Sequence, residues 1–519
     1  MNAATATPAS DSFNPIELEI LWKRLISIVD EASSTFVRTC FSTLVRDAND
    51  FAVVLTDVQG RSLAQSTMSI PSFIGSLPAT VRFFLEKFPI ETMSPGDVFI
   101  CNDPWKGTGH IHDVNTVMPI FHEGKVAAFA AVTSHLPDIG GKIRSNSSRE
   151  IYEEGLQIPP LKLLDGGRVN QTLVDMIARN IRVSEQGLGD IWAQVAASKM
   201  MSDRLQPLLQ SVDIHALGTA VRTKSAQAMR EAIRRLPDGE YTSEVEHDGF
   251  GEPIRIRCKL TIDADRIAID YAGSSAQLDR AVNVVPIYAY AYSAYPLKAL
   301  LCPELPNNEG SFEPISTTAP LGSVLNPTYP AASGGRQAIG HILPSAVFMA
   351  LASLMPEQVW AAGSANTSVT MTGTYHGKPF TTVSFINGGQ GATAGRDGFS
   401  GLAFPGNLGN TSVETMESNS PIRVLSRAIR AGSGGTGKHK GGNGLRLEFA
   451  VLPDASPITA SFLMTRMKSP PPGLFGGAPG KAANLLINGR QEDPTEPKVL
   501  MPGDSVVIET AGGGGFGMP

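Results

Sequence analysis

The sequence predicts an α+β protein, a multi-domain mixed α/β chain whose C-terminal part is rich in strands and glycine. A chain of 519 residues exceeds the size of one ordinary hydrophobic core. Long segments of the first half show helical spacing of apolar residues, whereas alternating apolar and polar residues dominate later segments. The 52 glycines and 37 prolines predict many turns and short strands.

The N-terminal part predicts a disordered polar tail at residues 1–14, followed by a metal-bearing α/β domain over residues 15–237. Pro15 opens an amphipathic helix in "PIELEILWKRLISIVDEA". The stretch "DFAVVLTDVQGRSLAQS" predicts two strands around a turn at Gly60. "GSLPATVRFFLEKF" predicts a short helix, and "GDVFICND" predicts a strand.

Two further helical segments complete this predicted domain. Residues 171–204 predict a helix interrupted near Gly187 and Gly189, because glycine weakens a helix interior. Residues 216–237 predict a helix of about six turns.

From residue 238 the pattern changes to alternating strands, as in "IRIRCKLTIDADRIAIDYAGSS" and "TTVSFING", with one more helix at residues 339–356. We therefore expect a mixed α/β domain at residues 238–420. Residues 421–519 predict a β-rich C-terminal domain, in which strands such as "LRLEFAVL" and "ITASFLMTRM" alternate with glycine-rich stretches.

Composition argues against several classes of protein. The net charge of −6 provides no large basic face for nucleic acid. No run of about 18 apolar residues predicts a membrane span, and the N-terminus lacks a signal-peptide core. Four cysteines without a CxxC pair are typical of a reducing compartment. We therefore expect a cytoplasmic protein that binds neither nucleic acid nor membrane.

The stretch "NDPWKGTGHIHDVNTV" places His110, His112 and Asp113 within four positions, in a chain with nine histidines. Two strand-like segments follow, joined by the turn sequence "HEG". If this is a hairpin with a two-residue turn, position 135 lies opposite position 112, which returns His135 to the cluster.

Two imidazoles and one carboxylate in one place form a ligand set for a metal with open coordination positions. A polar loop that is rich in histidine is the alternative interpretation. Strand parity prevents His110, His112 and Asp113 from sharing one face, so one of the two histidines is not a ligand. Spacing alone does not identify which.

The glycine-rich stretch "GSGGTGKH" at residues 432–439 is close to a P-loop, a loop that binds nucleotide phosphates. However, His439 stands where a P-loop has Ser or Thr, and the segment leads into a predicted strand instead of a helix. We therefore interpret it as a glycine-rich turn between strands and expect no nucleotide site in this chain. "NGGQGATAGRDG" also lacks the context of a dinucleotide-binding loop, and it predicts either tight turns or backbone N–H groups that line an anion pocket.

Several of these stretches resemble signatures of the hydantoinase B/oxoprolinase family. They are "NDPWKGTGHIHDV", "SHLPDIGG", "REIYEEGLQIPPLKL", "GGQGATAGRDG", "SGGTGKHKGGNGLRLEF", "PPPGLFGGAPG" and "ETAGGGGFG", which together cover nearly the whole chain. The family includes B-type subunits of N-methylhydantoinase, 5-oxoprolinase and caprolactamase. It is related to the metal-bearing subunit of acetone carboxylase.

The resemblance implies which residues bind the metal. The metal ligands of the family fall on His110, Asp113 and His135, and a further acidic ligand falls on Asp50, with Asp47 close by in the sequence. His112 stands where the family usually has proline. The donor set suits a divalent transition metal, with Zn or Mn expected.

The resemblance also implies a function. This chain would be the B-type subunit of an ATP-dependent cyclic amidase that opens a hydantoin, lactam or 5-oxoproline ring. An A-type partner would use ATP to phosphorylate the carbonyl, and metal-activated water would attack it, so we expect a hetero-oligomer. Asp138, Glu153 and Glu154 are candidates for the general base. The alternatives are the metal-bearing subunit of a ketone carboxylase and a non-catalytic, metal-stabilised scaffold.

Overall fold

The structure of the chain is a computed structural model, and it describes residues 13–402 and 404–519. Most of the predicted disordered tail lies outside the described residues. Within the described ranges, helices combine with four β-sheets, which confirms the predicted α+β class.

The first half of the chain is organised around a seven-stranded antiparallel sheet. Its strands are β1 (Phe51–Thr56), β2 (Ser62–Gln65), β3 (Val98–Cys101), β4 (Asp113–His122), β5 (Lys125–His135), β6 (Leu161–Asp165) and β7 (Arg168–Val169). Their order in the sheet is β2-β1-β5-β4-β3-β6-β7. The long hairpin β4–β5 therefore lies near the centre, where helices can cover both faces.

Helices surround this sheet. They are α1 (Pro15–Thr39), α2 (Thr43–Arg46), α3 (Ser76–Lys87), α4 (Gln171–Asn180), α5 (Ser184–Leu209) and α6 (Ile214–Ile233). Side chains alternate between the two faces of β1. Phe51, Val53 and Leu55 pack against α1, α5 and α6. Ala52 and Val54 lie on the opposite face and pack against α3. The predicted N-terminal helix, the strand pair and the α3 helix are confirmed.

The helix interruption predicted near Gly187 and Gly189 is wrong. The chain leaves helical structure earlier, between Asn180 and the start of α5, and both glycines lie inside α5. A Cβ atom at Gly189 would lie 2.5 Å from the Phe41 ring, and one at Gly187 would lie 2.7 Å from Ile181. These glycines therefore allow close packing and do not end the helix.

The second sheet belongs to the middle of the chain. Its strands are β8 (Gly239–His247), β9 (Ile254–Asp263), β10 (Arg266–Asp270) and β11 (Ile315–Thr318), in the order β11-β10-β9-β8. The helices of this part are α7 (Pro286–Leu301), α8 (Glu309–Phe312), α9 (Gln337–Gly340) and α10 (Leu343–Leu351). One face of the sheet packs on α7 and α10, and the other face is exposed and charged.

The helical segments of this part differ from the prediction. The expected helix at residues 339–356 is split into α9 and α10. The sequence reading missed α7, because its alternating Ala and Tyr residues and its internal Pro296 give no helical polar face.

The C-terminal part is a pair of packed sheets. One sheet contains β12 (Asn366–Tyr375), β13 (Lys378–Asn387), β16 (Ile458–Leu463) and β19 (Lys498–Leu500), in the order β13-β12-β16-β19. The other contains β14 (Ile422–Ile429), β15 (Leu445–Val451), β17 (Asn484–Ile487), β18 (Arg490–Gln491) and β20 (Ser505–Glu509), in the order β14-β15-β20-β17-β18. Between them, Met371, Phe449, Phe462 and Ile508 share one buried core.

The predicted domain limits fall in connecting segments. Residue 238 lies between α6 and β8, and residue 420 lies between α11 (Val413–Asn419) and β14. However, β12 and β13 pair in one sheet with β16 and β19, so that sheet has strands on both sides of residue 420.

The glycine-rich stretches pack against one another through their backbones. Gly435 donates to the carbonyl of Gly513, Gly513 to Gly442, and Gly442 to Gln390. A Cβ atom at Gly513 would overlap the Gln390 carbonyl. Residues 432–439 lie between β14 and β15, as predicted, and they also pack backbone to backbone against the other glycine-rich stretches. The predicted strand after this stretch is confirmed as β15.

Residues 13–402 and 404–519 contain no helix that combines the length and the apolar character needed to cross a membrane.

Candidate metal centre

The hairpin β4–β5 brings the distant histidine to the cluster. Glu123 and Gly124 form its turn, both with positive φ (47° and 76°), as the favoured two-residue hairpin turn requires. The predicted pairing of positions 112 and 135 is wrong by one residue. A β-bulge at Ala127 leaves this residue unpaired, so Asp113 lies directly opposite His135.

Three potential ligand atoms converge at the open end of this hairpin. Asp113 Oδ1 lies 2.7 Å from His110 Nε2 and 3.1 Å from His135 Nδ1, and the two nitrogens are 3.2 Å apart. All three side chains are buried. Ligands about 2.1 Å from a tetrahedral metal lie roughly 3.4 Å from one another, so this triangle needs only slight expansion to hold an ion.

The contacts of His110 support a cation at this position. Its Nδ1 lies 3.2 Å from the carbonyl oxygen of Gly334, which can only accept a hydrogen bond, and its Nε2 lies 2.7 Å from Asp113 Oδ1. Burial lowers the pKa of His110 well below its usual value, which favours the neutral ring. A neutral ring has one N–H group and can donate to only one of these two acceptors. A cation between Nε2 and Asp113 Oδ1 would leave Nδ1 to donate to Gly334.

The second oxygen of Asp113 is held by other partners. Thr108 Oγ1 donates to Oδ2 at 2.8 Å, and Arg336 Nη2 donates to it at 2.7 Å. Arg336 also donates from Nε to the carbonyl of Thr108. These contacts orient the carboxylate, so that Oδ1 points toward the two histidines.

Glu154 supports the same site from behind. Its Oε1 accepts from the backbone N–H groups of Ser333 and Gly334, at 3.0 and 2.6 Å. This contact holds Gly334, the residue whose carbonyl faces His110. Burial raises the pKa of Glu154 to about 7.

Asp50 lines the cavity in front of the three ligand atoms but is not one of this closely spaced group. It is buried, and burial together with the nearby charge of Asp113 raises its pKa to about 7. Asp47, its neighbour in sequence, instead accepts from Thr415 Oγ1. Of the two carboxylates, the structure therefore brings Asp50 to the cluster.

His112 lies beside the cluster and outside it. Its ring stacks on His135 with centroids 5.4 Å apart and an interplanar angle of 7°. Within the described residues, its Nδ1 has no hydrogen-bond partner. This placement agrees with the parity argument that only one of His110 and His112 joins the ligand group.

The other two acidic candidates have structural partners. Asp138 accepts hydrogen bonds from the backbone N–H and the guanidinium of Arg182. Glu153 is partly exposed and forms an ion pair with Lys142. Neither side chain lines the cavity at the three ligand atoms.

That cavity is small, at about 30 Å³. Pockets for small organic ligands usually measure about 300–1,000 Å³. The space therefore suits an ion with one or two oxygen atoms.

The walls of this cavity also include residues that the sequence patterns did not predict, namely Arg144, Tyr288, Arg336, His341 and Asn366. A possible signal was Arg336 in "SGGRQ", an arginine directly after two glycines.

With this fold and this site, the chain belongs to the hydantoinase B/oxoprolinase family, whose family model matches residues 14–519. A relative from Pseudomonas sp. strain NS671, described as a putative B-type subunit of a D-/L-hydantoinase, is 28% identical and covers 98% of this chain and 90% of its own.

Two solved structures share the fold over 98% of this chain. One is the ATP-dependent caprolactamase from Pseudomonas jessenii, with a TM-score of 0.88, 24% identity and 92% of that chain covered. The other is acetone carboxylase in a nucleotide-free state, with a TM-score of 0.89, 20% identity and 76% of that chain covered. At these identities the likeness concerns the fold alone.

Proposed function

We propose that this chain is the metal-bearing B-type subunit of an ATP-dependent cyclic amidase that opens a hydantoin, lactam or 5-oxoproline ring. The observation that carries the proposal is the convergence of His110 Nε2, Asp113 Oδ1 and His135 Nδ1 in one buried cavity. Membership of the hydantoinase B/oxoprolinase family supports the amidase chemistry.

The proposed ligands are His110, Asp113 and His135, with Asp50 as the fourth. Imidazole and carboxylate donors without thiolate suit Zn or Mn. A divalent ion bound here would supply Lewis acidity, which polarises an oxygen of water or substrate.

The residues of the chain itself divide the remaining work. Thr108 and Arg336 orient Asp113, and Glu154 positions His110 through Gly334. The small cavity admits only the reacting group of a substrate, while the rest of the ring stays outside. The partners of Asp138 and Glu153 favour structural roles for these two residues.

We assign the use of ATP to an A-type partner subunit. The stretch at residues 432–439 packs against other backbone and leads into β15, which is not the strand-to-helix context of a phosphate-binding loop. The Pseudomonas relative is described as one subunit of a hydantoinase, which supports a multi-subunit enzyme and so a hetero-oligomer.

A ketone carboxylase is the second candidate, favoured by the shared fold with acetone carboxylase. It would use the same ligands with a different substrate. A scaffold that holds a metal without catalysis is the third, and it predicts that loss of the metal leaves turnover intact in an assembled complex.

The test begins with the metal. Purified wild-type protein should contain about one transition-metal equivalent per chain, and His110→Ala and His135→Ala should lose it. His247→Ala is the matched control, because His247 is equally buried but lies outside the cavity. Elemental analysis that finds full occupancy in the two site variants would reject the ligand assignment.

The second step assays the chain produced together with its A-type partner. ATP hydrolysis and product formation are measured with a panel of lactams, hydantoins and ketones. Ring opening that depends on the metal supports the amidase, and bicarbonate-dependent product from a ketone supports the carboxylase. Turnover that is unchanged after metal removal supports the scaffold.

A further inference from the structure

Arg144 is a buried arginine at the wall of the metal cavity, on the segment that follows β5. Its Nε donates to the carbonyl of Gly334 at 3.1 Å, and its Nη1 lies 3.4 Å from Ser368 Oγ. Across the described ranges, no carboxylate forms an ion pair with Arg144. Arg336, by contrast, is paired with Asp113.

A buried guanidinium that forms no ion pair is costly, since the charge loses its hydration while the nearest carboxylates, Asp50 and Asp113, act on it only at longer range. The cost shows in the pKa of Arg144, which burial and the neighbouring Arg336 lower to about 10. Such a group is best explained if a negative charge joins it during function.

The charges around the cavity lead to the same conclusion. Arg144 and Arg336 line the cavity together with Asp50 and Asp113, and only Arg336 is paired with one of these carboxylates. A divalent ion bound by the carboxylates would leave the guanidinium of Arg144 to face an incoming anion, such as a phosphoryl group.

Arg144 also faces a route toward the surface. It lines a second cavity of about 10 Å³, next to His112, as well as the metal cavity. This second cavity shares Pro137, Arg182 and Thr381 with a surface groove of about 640 Å³. Arg144 is thus the residue that the second cavity and the metal cavity have in common.

We propose that Arg144 binds an oxygen of the phosphoryl group of the activated substrate at the wall of the metal cavity, and that the groove lined by Pro137, Arg182 and Thr381 is the entrance for this group. This inference rests on the proposed function and adds the residue that recognises the phosphorylated group. It also explains why Arg144 pairs with no carboxylate of the described residues.

Arg466 provides a matched control. It is similarly buried, burial lowers its pKa to about 10, and its guanidinium donates to the carbonyls of Glu246 and Ser469. However, Arg466 lines neither the metal cavity nor the groove. A substitution there reports the general effect of removing a buried guanidinium.

The experiment uses the metal-loaded chain with inorganic phosphate as the probe. Metal content is measured first by elemental analysis, and phosphate binding is then measured by calorimetry. With Mn²⁺, broadening of the phosphate ³¹P resonance reports proximity to the ion. Wild type and Arg466→Gln should bind phosphate equally, and Arg144→Gln should bind it at least about tenfold more weakly. Arg144→Lys, which keeps the charge but loses the forked geometry, should lie between them.

The outcomes separate the two proposals. Wild type that binds no metal contradicts the proposed function. Metal-loaded wild type that binds no phosphate, or Arg144→Gln that keeps its metal and binds phosphate like wild type, overturns the role of Arg144. If Arg144→Gln does not fold, Arg144→Lys decides, because weaker phosphate binding with full metal content supports the inference and unchanged binding overturns it.

The phosphoryl group could come from a phosphorylated amide or from an intermediate of ketone carboxylation. Arg144→Lys in complex with the partner is therefore assayed with a cyclic amide, and with a ketone plus bicarbonate. Loss of product with one substrate class identifies the source, and full product with both overturns the inference.

Discussion

Asp113 and His135 lie directly opposite each other across the β4–β5 hairpin, because the bulge at Ala127 shifts the pairing by one residue. Directly opposed side chains lie roughly 5 Å apart at Cβ, so both can reach one ion. A local irregularity near the hairpin turn therefore sets the geometry of the site at its far end.

Asp113→Asn is expected to remove metal from the chain. The amide keeps the size of the carboxylate but loses the charge, and about 10–100-fold weaker metal binding is a minimum estimate. Arg336 also loses its counter-ion, and such a broken buried pair costs about 3–5 kcal/mol of folding stability. Metal titration and urea unfolding measure the two effects.

In the assembled complex, Asp113→Asn should leave ATP use intact while ring opening falls. Wild-type rates of both would argue against catalysis at Asp113.

Glu154→Ala is expected to weaken metal binding by about 10–100-fold, although Glu154 is not a proposed ligand. The substitution removes the acceptor that holds the backbone N–H of Gly334, the residue whose carbonyl accepts from His110. The matched control is the adjacent Glu153→Ala, which removes only a partly exposed ion pair with Lys142. Calorimetric metal titration of both variants should separate them, and equal affinities would show that Glu154 has no positioning role.

Gly513→Ala is expected to destabilise the packed glycine stretches. The new Cβ atom would overlap the Gln390 carbonyl, and forced overpacking usually costs about 1–3 kcal/mol or more. Gly395→Ala is the control, since a Cβ atom at Gly395 meets nothing within 4 Å. Thermal unfolding compares the two, and similar melting temperatures would contradict tight backbone packing at Gly513.

His247 is expected to make stability depend on pH. Burial lowers its pKa to about 4, whereas an unfolded chain has a histidine pKa of about 6.5. The unfolded state therefore binds more protons in this window, and stability falls as the pH drops from about 6.5 toward about 4. His247→Gln should reduce the slope by up to about 1.4 kcal/mol per pH unit. Urea unfolding between pH 7 and 5 measures this slope, and identical slopes in both proteins would refute the contribution of His247.

Sequence patterns predicted much of the N-terminal half. The helical spacing that begins at Pro15, the turn at Gly60 and the strand-like segments on either side of the "HEG" turn are local signals, and local signals can be read from sequence. The failures also have physical causes. The glycines in α5 leave room for the Phe41 ring and for Ile181. Both of these residues lie outside that helix, so no pattern within the helix revealed the role of the glycines.

For the site, the hairpin pattern in the sequence determined that His135 returns to the segment that holds His110, His112 and Asp113, because a hairpin joins two segments that are close in the chain. The choice of His110 over His112 came from the family resemblance. Only the tertiary structure decided the register, since an unpaired residue such as Ala127 leaves no pattern in the sequence. It alone also brought in Arg336, 223 positions from Asp113. Contacts over such separations depend on how whole layers pack, and no periodicity within either segment encodes them.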